Sequence, residues 1–262
     1  MSVEIHPSSI IEPGAQLGDG VKIGPFCIVG PNVVLGDRVE LKSHVVISGK
    51  TEVGEDTIVF SFACIGEIPQ DLKFKGEETR LVIGKRNRIR EHVTMNTGTE
   101  GGGGLTQVGD DGLFMAGCHV AHDVILGDRV IVVNSAALAG HCVIGDDVII
   151  GGLSGVHQWV RVGQGAIIGA VTMVTADVIP YGLVQAPRGE LDGLNLVGLK
   201  RRGVARTDIS ALRQALKKLS SGEGAFQERA RALGETTESD YVRQIVEFVT
   251  GSSDRSFLTP KA

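Results

Sequence analysis

The feature that most constrains this chain is a six-residue period of aliphatic side chains. The key positions recur every six residues over 5–65, 83–95 and 108–174, and 24 of these 26 residues are isoleucine, leucine or valine. Amphipathic helices need a period near ~3.6 and half-buried strands a period near ~2, so neither template fits. A strict period of six predicts a parallel β-helix, in which each hexad supplies one short strand and one corner of a three-sided coil.

Two interruptions of the period predict loops at about 66–82 and 99–107. The step from Ile65 to Ile83 is 18 residues, which is one full coil, so the later coils keep their phase. The second interruption contains Gly101 to Gly104, but no Gly-Lys-Ser/Thr sequence follows, and a phosphate-binding loop is therefore not favoured. We expect a mobile flap there.

The hexads end near Pro180, and the remaining apolar residues follow helical spacing. Helices are expected at Thr207–Leu219, at about 223–233 and at about 238–249, where apolar residues fall on one face. The predicted fold class is therefore an all-β parallel β-helix over residues 1–188, followed by a small α-helical C-terminal domain over 189–262 that covers the open end of the solenoid.

Composition and charge exclude several classes of protein. The net charge is −5, with no long run of one sign, so no nucleic-acid partner is expected. The four cysteines are scattered without CxxC spacing, which favours small buried hydrophobes over disulfides or a cysteine zinc site. No transmembrane segment and no signal peptide are visible, so the expected location is cytoplasmic.

The coil length places the chemically interesting residues, because residues 18 apart stack on neighbouring coils about 4.8 Å from one another. Three segments then form one corner: Ala-His-Asp at 121–123, Ala-Gly-His at 139–141 and His-Gln-Trp at 157–159. An imidazole with a pKa near ~6.5, such as that of His122, can act as a general base. The neighbouring Asp123 can hold its tautomer, and a glycine N–H one coil away can approach a developing oxyanion.

Two other interpretations compete with base catalysis. A zinc site would use His122, His141 and His157, as in solenoid enzymes that resemble γ-class carbonic anhydrases. These histidines occupy three different columns, and no bound metal is expected. A non-catalytic solenoid would display regular rows of one residue type, and the mixed composition of this corner argues against that.

The repeats, the Gln-Asp-Leu-Lys loop at 70–73, the histidine corner and the segment NLVGLKRRG at 195–203 resemble the family of UDP-N-acetylglucosamine O-acyltransferases. The resemblance covers essentially the whole chain. It implies a left-handed β-helix and a homotrimer with active sites between subunits. It also implies transfer of an (R)-3-hydroxyacyl chain from acyl carrier protein to the 3-hydroxyl of UDP-N-acetylglucosamine, in the first step of lipid A synthesis. A 3-amino sugar acceptor is the alternative. No cofactor is implied, since the carrier-protein thioester is itself a substrate.

The same resemblance implies roles for individual residues. His122 matches the general base, Asp123 its orienting partner and the N–H of Gly140 the oxyanion donor. The residues expected to bind substrate are Asp71, Lys73, His119, His141, His157, Gln158, Asn195, Arg201 and Arg202. Ala170 and Arg188 match positions that set acyl-chain length. Three positions depart from the family pattern and leave the nucleotide contacts open, namely Asn96, Thr97 and Val197.

Overall fold

A computed structural model describes residues 2–186, 189–221, 224–253 and 255–260 of the chain. The described residues form three sheets of eleven, nine and eight strands, and successive strands within each sheet come from successive coils. In the first sheet, for example, Ile131 pairs in parallel with Ile149, which pairs with Ile167. The 18-residue coil is therefore observed directly, and the predicted fold class, a left-handed parallel β-helix followed by helices, is confirmed.

Most strands are only two residues long. The first sheet contains Glu4–Ile5, Lys22–Ile23, Glu40–Leu41, Ile58–Val59, Arg88–Ile89, Leu113–Phe114, Ile131–Val132, Ile149–Ile150, Ile167–Ile168, Gly182–Gln185 and Glu190–Leu194. The second contains Ile10–Ile11, Ile28–Val29, Val46–Ile47, Cys64–Glu67, Thr94–Asn96, His119–Val120, Ala137–Leu138, Gly155–Val156 and Met173–Val174. The third contains Gln16–Leu17, Val34–Leu35, Lys50–Val53, Arg80–Ile83, Leu105–Val108, Ile125–Leu126, Val143–Ile144 and Arg161–Val162.

The hydrophobic core runs along the inside of the solenoid. The second residue of each short strand is the key residue of its hexad and points inward, as Val132, Leu138 and Ile144 show by their complete burial. Burying each such side chain contributes about 1.5–3 kcal/mol, and the ladder repeats the same contact on every coil. Cys118 and Cys142 are buried in the same core, and burial raises the pKa of both thiols to about 12, so they pack as inert small hydrophobes.

Three corners join the sheets. The corner between the second and third sheets, which we call the site corner, consists of 121–124, 139–142 and 157–160. The corner between the first and second sheets carries stacked rings, including Phe62 and His92 with centroids 5.1 Å apart. The corner between the third and first sheets, the charged corner, consists of 127–130, 145–148, 163–166 and their counterparts on earlier coils, and carries ion pairs such as Arg129–Asp147.

The two insertions are shorter than the sequence suggests. The first covers residues 68–79, because strands end at Glu67 and begin at Arg80. Asn96 fixes its base, since Nδ2 donates to the carbonyl oxygens of Glu67 and Ile68 at 3.3 and 3.0 Å. In the second insertion, Glu100–Gly102 form a 3-10 turn, and pairing resumes at Leu105.

The solenoid ends in a hairpin rather than at residue 188. Gly182–Gln185 continues the parallel ladder, and Glu190–Leu194 pairs with it antiparallel, so the first sheet extends to Leu194. Four helices follow: α1 (Leu196–Arg201), α2 (Arg206–Ser220), α3 (Phe226–Thr236) and α4 (Asp240–Thr250). The last three lie close to their predicted positions, whereas α1 was not expected. Over the described ranges, none of the helices combines the length and apolarity that crossing a bilayer would require.

Candidate active site

His122 and Asp123 form the centre of the site corner. Both are almost fully buried, with 4% and 5% of their surfaces exposed, and His122 Nδ1 lies 2.8 Å from Asp123 Oδ2. Asp123 adopts a left-handed backbone conformation with φ of 59°, which aspartate tolerates better than most residues. The local turn of the hexad therefore places a carboxylate directly beside the preceding imidazole.

The second insertion supplies the other partners of this carboxylate. Thr99 donates its backbone N–H to Asp123 Oδ1 at 2.8 Å and its hydroxyl to Oδ2 at 2.5 Å. An ionised carboxylate can only accept hydrogen bonds. His122 Nδ1 must therefore carry the proton of the His122–Asp123 bond. The lone pair of His122 Nε2 is left available to take a proton.

The glycine segment lies close against Asp123. A methyl group at Gly102 would lie 2.1 Å from Asp123 Cγ, and one at Gly98 would lie 2.8 Å from Oδ1. Any side chain at these positions would displace the carboxylate or the loop. The segment for which a mobile flap is expected is therefore part of the wall that buries Asp123.

Gly140 lies under the imidazole ring of His122, as the 18-residue spacing predicts. A methyl group at Gly140 would lie 2.4 Å from His122 Cε1 and 2.7 Å from Nε2. Within the ranges that the structure describes, the N–H of Gly140 donates to no protein acceptor. An uncommitted N–H next to a basic nitrogen is the arrangement that stabilises an oxyanion formed beside the base.

His141 and Trp159 continue the column above Asp123. Their rings stack with centroids 3.8 Å apart and an interplanar angle of 5°, and His141 Nδ1 lies 3.6 Å from Asp123 Oδ2. Burial lowers the pKa of His141 below its usual value. Asp123 opposes the shift, and Asp71 opposes it too. The Asp71 carboxylate on the first insertion is therefore close enough to act electrostatically on the His141 imidazole.

The remaining predicted histidines surround this centre. His119 lies one strand earlier, with Nδ1 2.7 Å from Thr94 Oγ1; burial lowers its pKa, and the charge of a protonated His122 lowers it further. His157 and Gln158 are exposed on the next coil of the same corner. Lys73 is exposed on the first insertion, and its backbone N–H donates to Asp71 Oδ1 at 2.9 Å.

The geometry also bears on the metal interpretation. His122, Asp123 and His141 each offer one ligand atom, and these atoms lie within 4.8 Å of one another. The cluster excludes His157, so it differs from the three-histidine set considered from the sequence. The Asp123 carboxylate already accepts hydrogen bonds from Thr99 and His122, and a cation would have to displace them. That no metal is bound stays a prediction.

Several predicted site residues lie on other corners of the same chain. The amide of Asn195 is buried, with Oδ1 accepting from the Gly198 N–H at 2.9 Å and Nδ2 donating to the Gly165 carbonyl at 3.0 Å. It therefore caps α1 against the charged corner. The Arg202 guanidinium also reaches Gly165. Arg201 is exposed at the end of α1, and Ala170 is exposed at the corner between the first and second sheets. Arg188 lies outside the described residues.

Two residues that hold the centre were missed. Thr99 belongs to an insertion, where the repeat does not predict which residues stack. Thr106 accepts the Asp123 N–H at Oγ1 at 2.8 Å, but it lies in a strand whose sequence looks like an ordinary repeat. Only the 17-residue offset between Thr106 and Asp123, one short of a coil, offered a signal.

Comparison with known proteins gives one consistent result. Residues 14–49 match the model of the bacterial transferase hexapeptide repeat, and residues 177–258 match the second domain of UDP-N-acetylglucosamine O-acyltransferase. An acyl-[acyl-carrier-protein]–UDP-N-acetylglucosamine O-acyltransferase of Paracoccus denitrificans is 66% identical over 78% of this chain and 77% of its own length. The Caulobacter vibrioides protein of the same name is 50% identical over 99% of both chains. The solved UDP-N-acetylglucosamine acyltransferase of Campylobacter jejuni is 39% identical over 98% of this chain and 99% of its own, with a TM-score of 0.92.

Proposed function

This chain belongs to the UDP-N-acetylglucosamine O-acyltransferase family, and we propose that His122 is the general base of its acyl transfer. The donor is an (R)-3-hydroxyacyl thioester of acyl carrier protein, and the acceptor is the 3-hydroxyl of UDP-N-acetylglucosamine, which makes the reaction the first step of lipid A synthesis. The reaction is proposed to take place in the cytoplasm. The scheme needs no cofactor or metal.

The observation that carries the proposal is the 2.8 Å contact between His122 Nδ1 and Asp123 Oδ2. The Asp123 carboxylate accepts hydrogen bonds from Thr99 and from His122 Nδ1, which leaves the lone pair of Nε2 available to take a proton. In the proposed reaction Nε2 takes the proton of the sugar hydroxyl while its oxygen bonds to the thioester carbonyl carbon. The N–H of Gly140 donates to the resulting oxyanion. Collapse breaks the carbon–sulfur bond, and the departing sulfur takes the proton back from the imidazolium as a thiol.

The border of the cleft supports a sugar diphosphate as acceptor. The Lys73 ammonium lies on the first insertion, which reaches His141, and an ammonium is suited to a phosphate group as a point charge. His141, His157 and Gln158 provide hydrogen-bonding groups for the hydroxyls of the sugar. Asp71 is proposed to bind the sugar from the same insertion as Lys73.

The site is proposed to be completed by a second copy of the chain, within a homotrimer. The nucleotide-binding candidates Asn195 and Arg202 lie at Gly165 on the charged corner, a different edge of the solenoid from His122. Ala170, the candidate for limiting chain length, lies on the third edge. One chain cannot bring three edges of a prism together, whereas neighbouring chains packed side by side can.

The test is an acyl-transfer assay with carrier-protein thioesters of several chain lengths, against UDP-N-acetylglucosamine and its 3-amino analogue. Wild type should acylate the 3-hydroxyl sugar, and His122→Ala should lower kcat by about 10²–10⁴-fold, the usual contribution of a general base. His6→Ala, on an exposed histidine far along the solenoid, is the matched control. Near-normal turnover by His122→Ala would contradict the proposal. A preference for the amino sugar would favour the 3-amino acceptor, and zinc bound at one per chain would favour the metal-dependent alternative.

A further inference from the structure

A residue near the end of the chain contacts the site corner. The guanidinium of Arg255 donates through Nη2 to the carbonyl oxygen of Gln158 at 3.1 Å and to His157 Nδ1 at 3.3 Å. Arg255 and His157 are 98 positions apart in the sequence, and no repeat or motif connects them. This contact joins the C-terminal segment to two residues that border the cleft.

The segment that carries Arg255 is anchored on both sides by one buried residue, Asp177. Asp177, which is fully buried, accepts at Oδ2 from the hydroxyl of Ser253 at 2.6 Å and from Arg161 Nε at 2.8 Å. Its backbone donates to the Ser256 carbonyl at 2.8 Å and accepts from the Leu258 N–H at 2.9 Å. Arg255 lies between these anchors, so its backbone is held while its side chain reaches His157.

The Arg161 side chain extends the same anchor. Nη1 donates to the carbonyl of Ser252 at 3.0 Å, and the guanidinium packs 4.8 Å from the ring centroid of Phe248 and 5.8 Å from that of Phe257. The segment around Arg255 is therefore attached to both the last coil and the helical region.

We propose that Arg255 is a positioning residue that keeps the proton of His157 on Nε2. A guanidinium only donates, so the Nδ1 atom that faces it has to accept and cannot carry a proton. Without Arg255 the alternative is at hand, because the Gln158 carbonyl lies 3.2 Å from Nδ1 and could accept an Nδ1–H. Arg255 also donates to the Gln158 carbonyl. Nδ1 therefore faces a donor in Arg255, and the carbonyl that could have accepted an Nδ1–H is already engaged.

The consequence for the site is a fixed hydrogen-bond donor. With Nδ1 engaged, the His157 Nε2–H is available to an acceptor oxygen of the sugar or diphosphate. This role rests on the proposed function, because it assumes that the cleft holds such a substrate. The tautomer itself does not depend on substrate and can be measured in the resting protein.

The experiment combines ¹⁵N NMR of histidine-labelled protein with steady-state kinetics. In wild type at neutral pH the His157 resonances should show an acceptor Nδ1 and a protonated Nε2. Arg255→Ala should introduce an Nδ1–H population and raise the KM for the sugar nucleotide about tenfold, as for loss of one charge-assisted hydrogen bond, with kcat changed less than about threefold. Arg255→Lys should restore part of both, and Ser256→Ala, at an exposed neighbour, should change neither.

A double-mutant cycle separates positioning from packing. If Arg255 acts through His157, then Arg255→Ala should add little in a His157→Ala background, whereas independent effects would add. Full additivity, or a wild-type His157 protonated on Nδ1, overturns the inference. If the tautomer shifts as expected but no acyl transfer occurs even in wild type, the proposed function fails and the positioning of His157 stands.

Discussion

Thr99 donates two hydrogen bonds to the carboxylate of Asp123, one from its backbone and one from its hydroxyl. Thr99 lies in an insertion, and Asp123 lies on a corner of the repeat. The repeat therefore builds the His122–Asp123 pair, and the insertion fixes the orientation of the Asp123 carboxylate. The contribution of the insertion can therefore be measured by substituting Thr99 while the repeat is left unchanged.

The first prediction concerns the hydroxyl of Thr99. Thr99→Val keeps the shape and the backbone N–H but removes one donor to a charged acceptor, a bond worth about 1.5–3 kcal/mol. Turnover should fall by about ten- to a hundredfold if the loss is felt in the transition state, and Thr99→Ser should recover most of it. Kinetic assays of both variants check this, with Thr207→Val on the exposed face of α2 as control. An unchanged kcat in Thr99→Val would show that Asp123 needs only the backbone donor.

The second prediction compares two neighbouring glycines. A methyl group at Gly102 would lie 2.1 Å from Asp123 Cγ, whereas one at Gly101 would meet nothing within 4 Å. Gly102→Ala should therefore displace the carboxylate and lower kcat by at least about tenfold, while Gly101→Ala should behave as wild type. Equal activities would mean that the segment moves away from Asp123 at little cost, as the flap first expected from the sequence would do.

The sequence predicted the fold and the central column for one physical reason, which is that a fixed coil length fixes which residues stack. The stacking of His122 on Gly140 and of Asp123 on His141 follows from that length alone. Thr99 could not be found in this way, because an insertion leaves the ladder and its path depends on packing. Arg255 was also out of reach, since it meets His157 only after the helices have folded back on the solenoid.

The 18-residue spacing also could not show which predicted site residues lie away from His122. Asn195 matched a nucleotide-binding position, yet its amide caps α1, a helix that was not expected. The hydrophobic pattern of this short helix is too brief to distinguish it from a loop. The residues that a second copy would have to supply are those that lie on other corners.

The third prediction concerns the pH dependence of stability through His119. Its pKa is lowered in the folded chain, first by burial and then by His122, so the unfolded chain binds this proton more readily. As pH falls below the unfolded value of about 6.5, the unfolded state takes up more protons and the free energy of unfolding decreases. His119→Gln should be less sensitive to a change from about pH 7.5 to about 5.5 in urea unfolding at fixed protein concentration. His6→Gln, on an exposed ring, should retain the full sensitivity of wild type.

The fourth prediction uses the single tryptophan of the chain as a reporter. Trp159 stacks on His141 at 3.8 Å, and a protonated imidazole in that position quenches indole fluorescence more strongly than a neutral one. Because burial lowers the pKa of His141, the fluorescence should stay constant down to about pH 6.5 and fall only below it. His141→Ala should abolish this transition, and His6→Ala should leave it in place. A midpoint above about 6.5 would show that the Asp123 and Asp71 carboxylates outweigh burial.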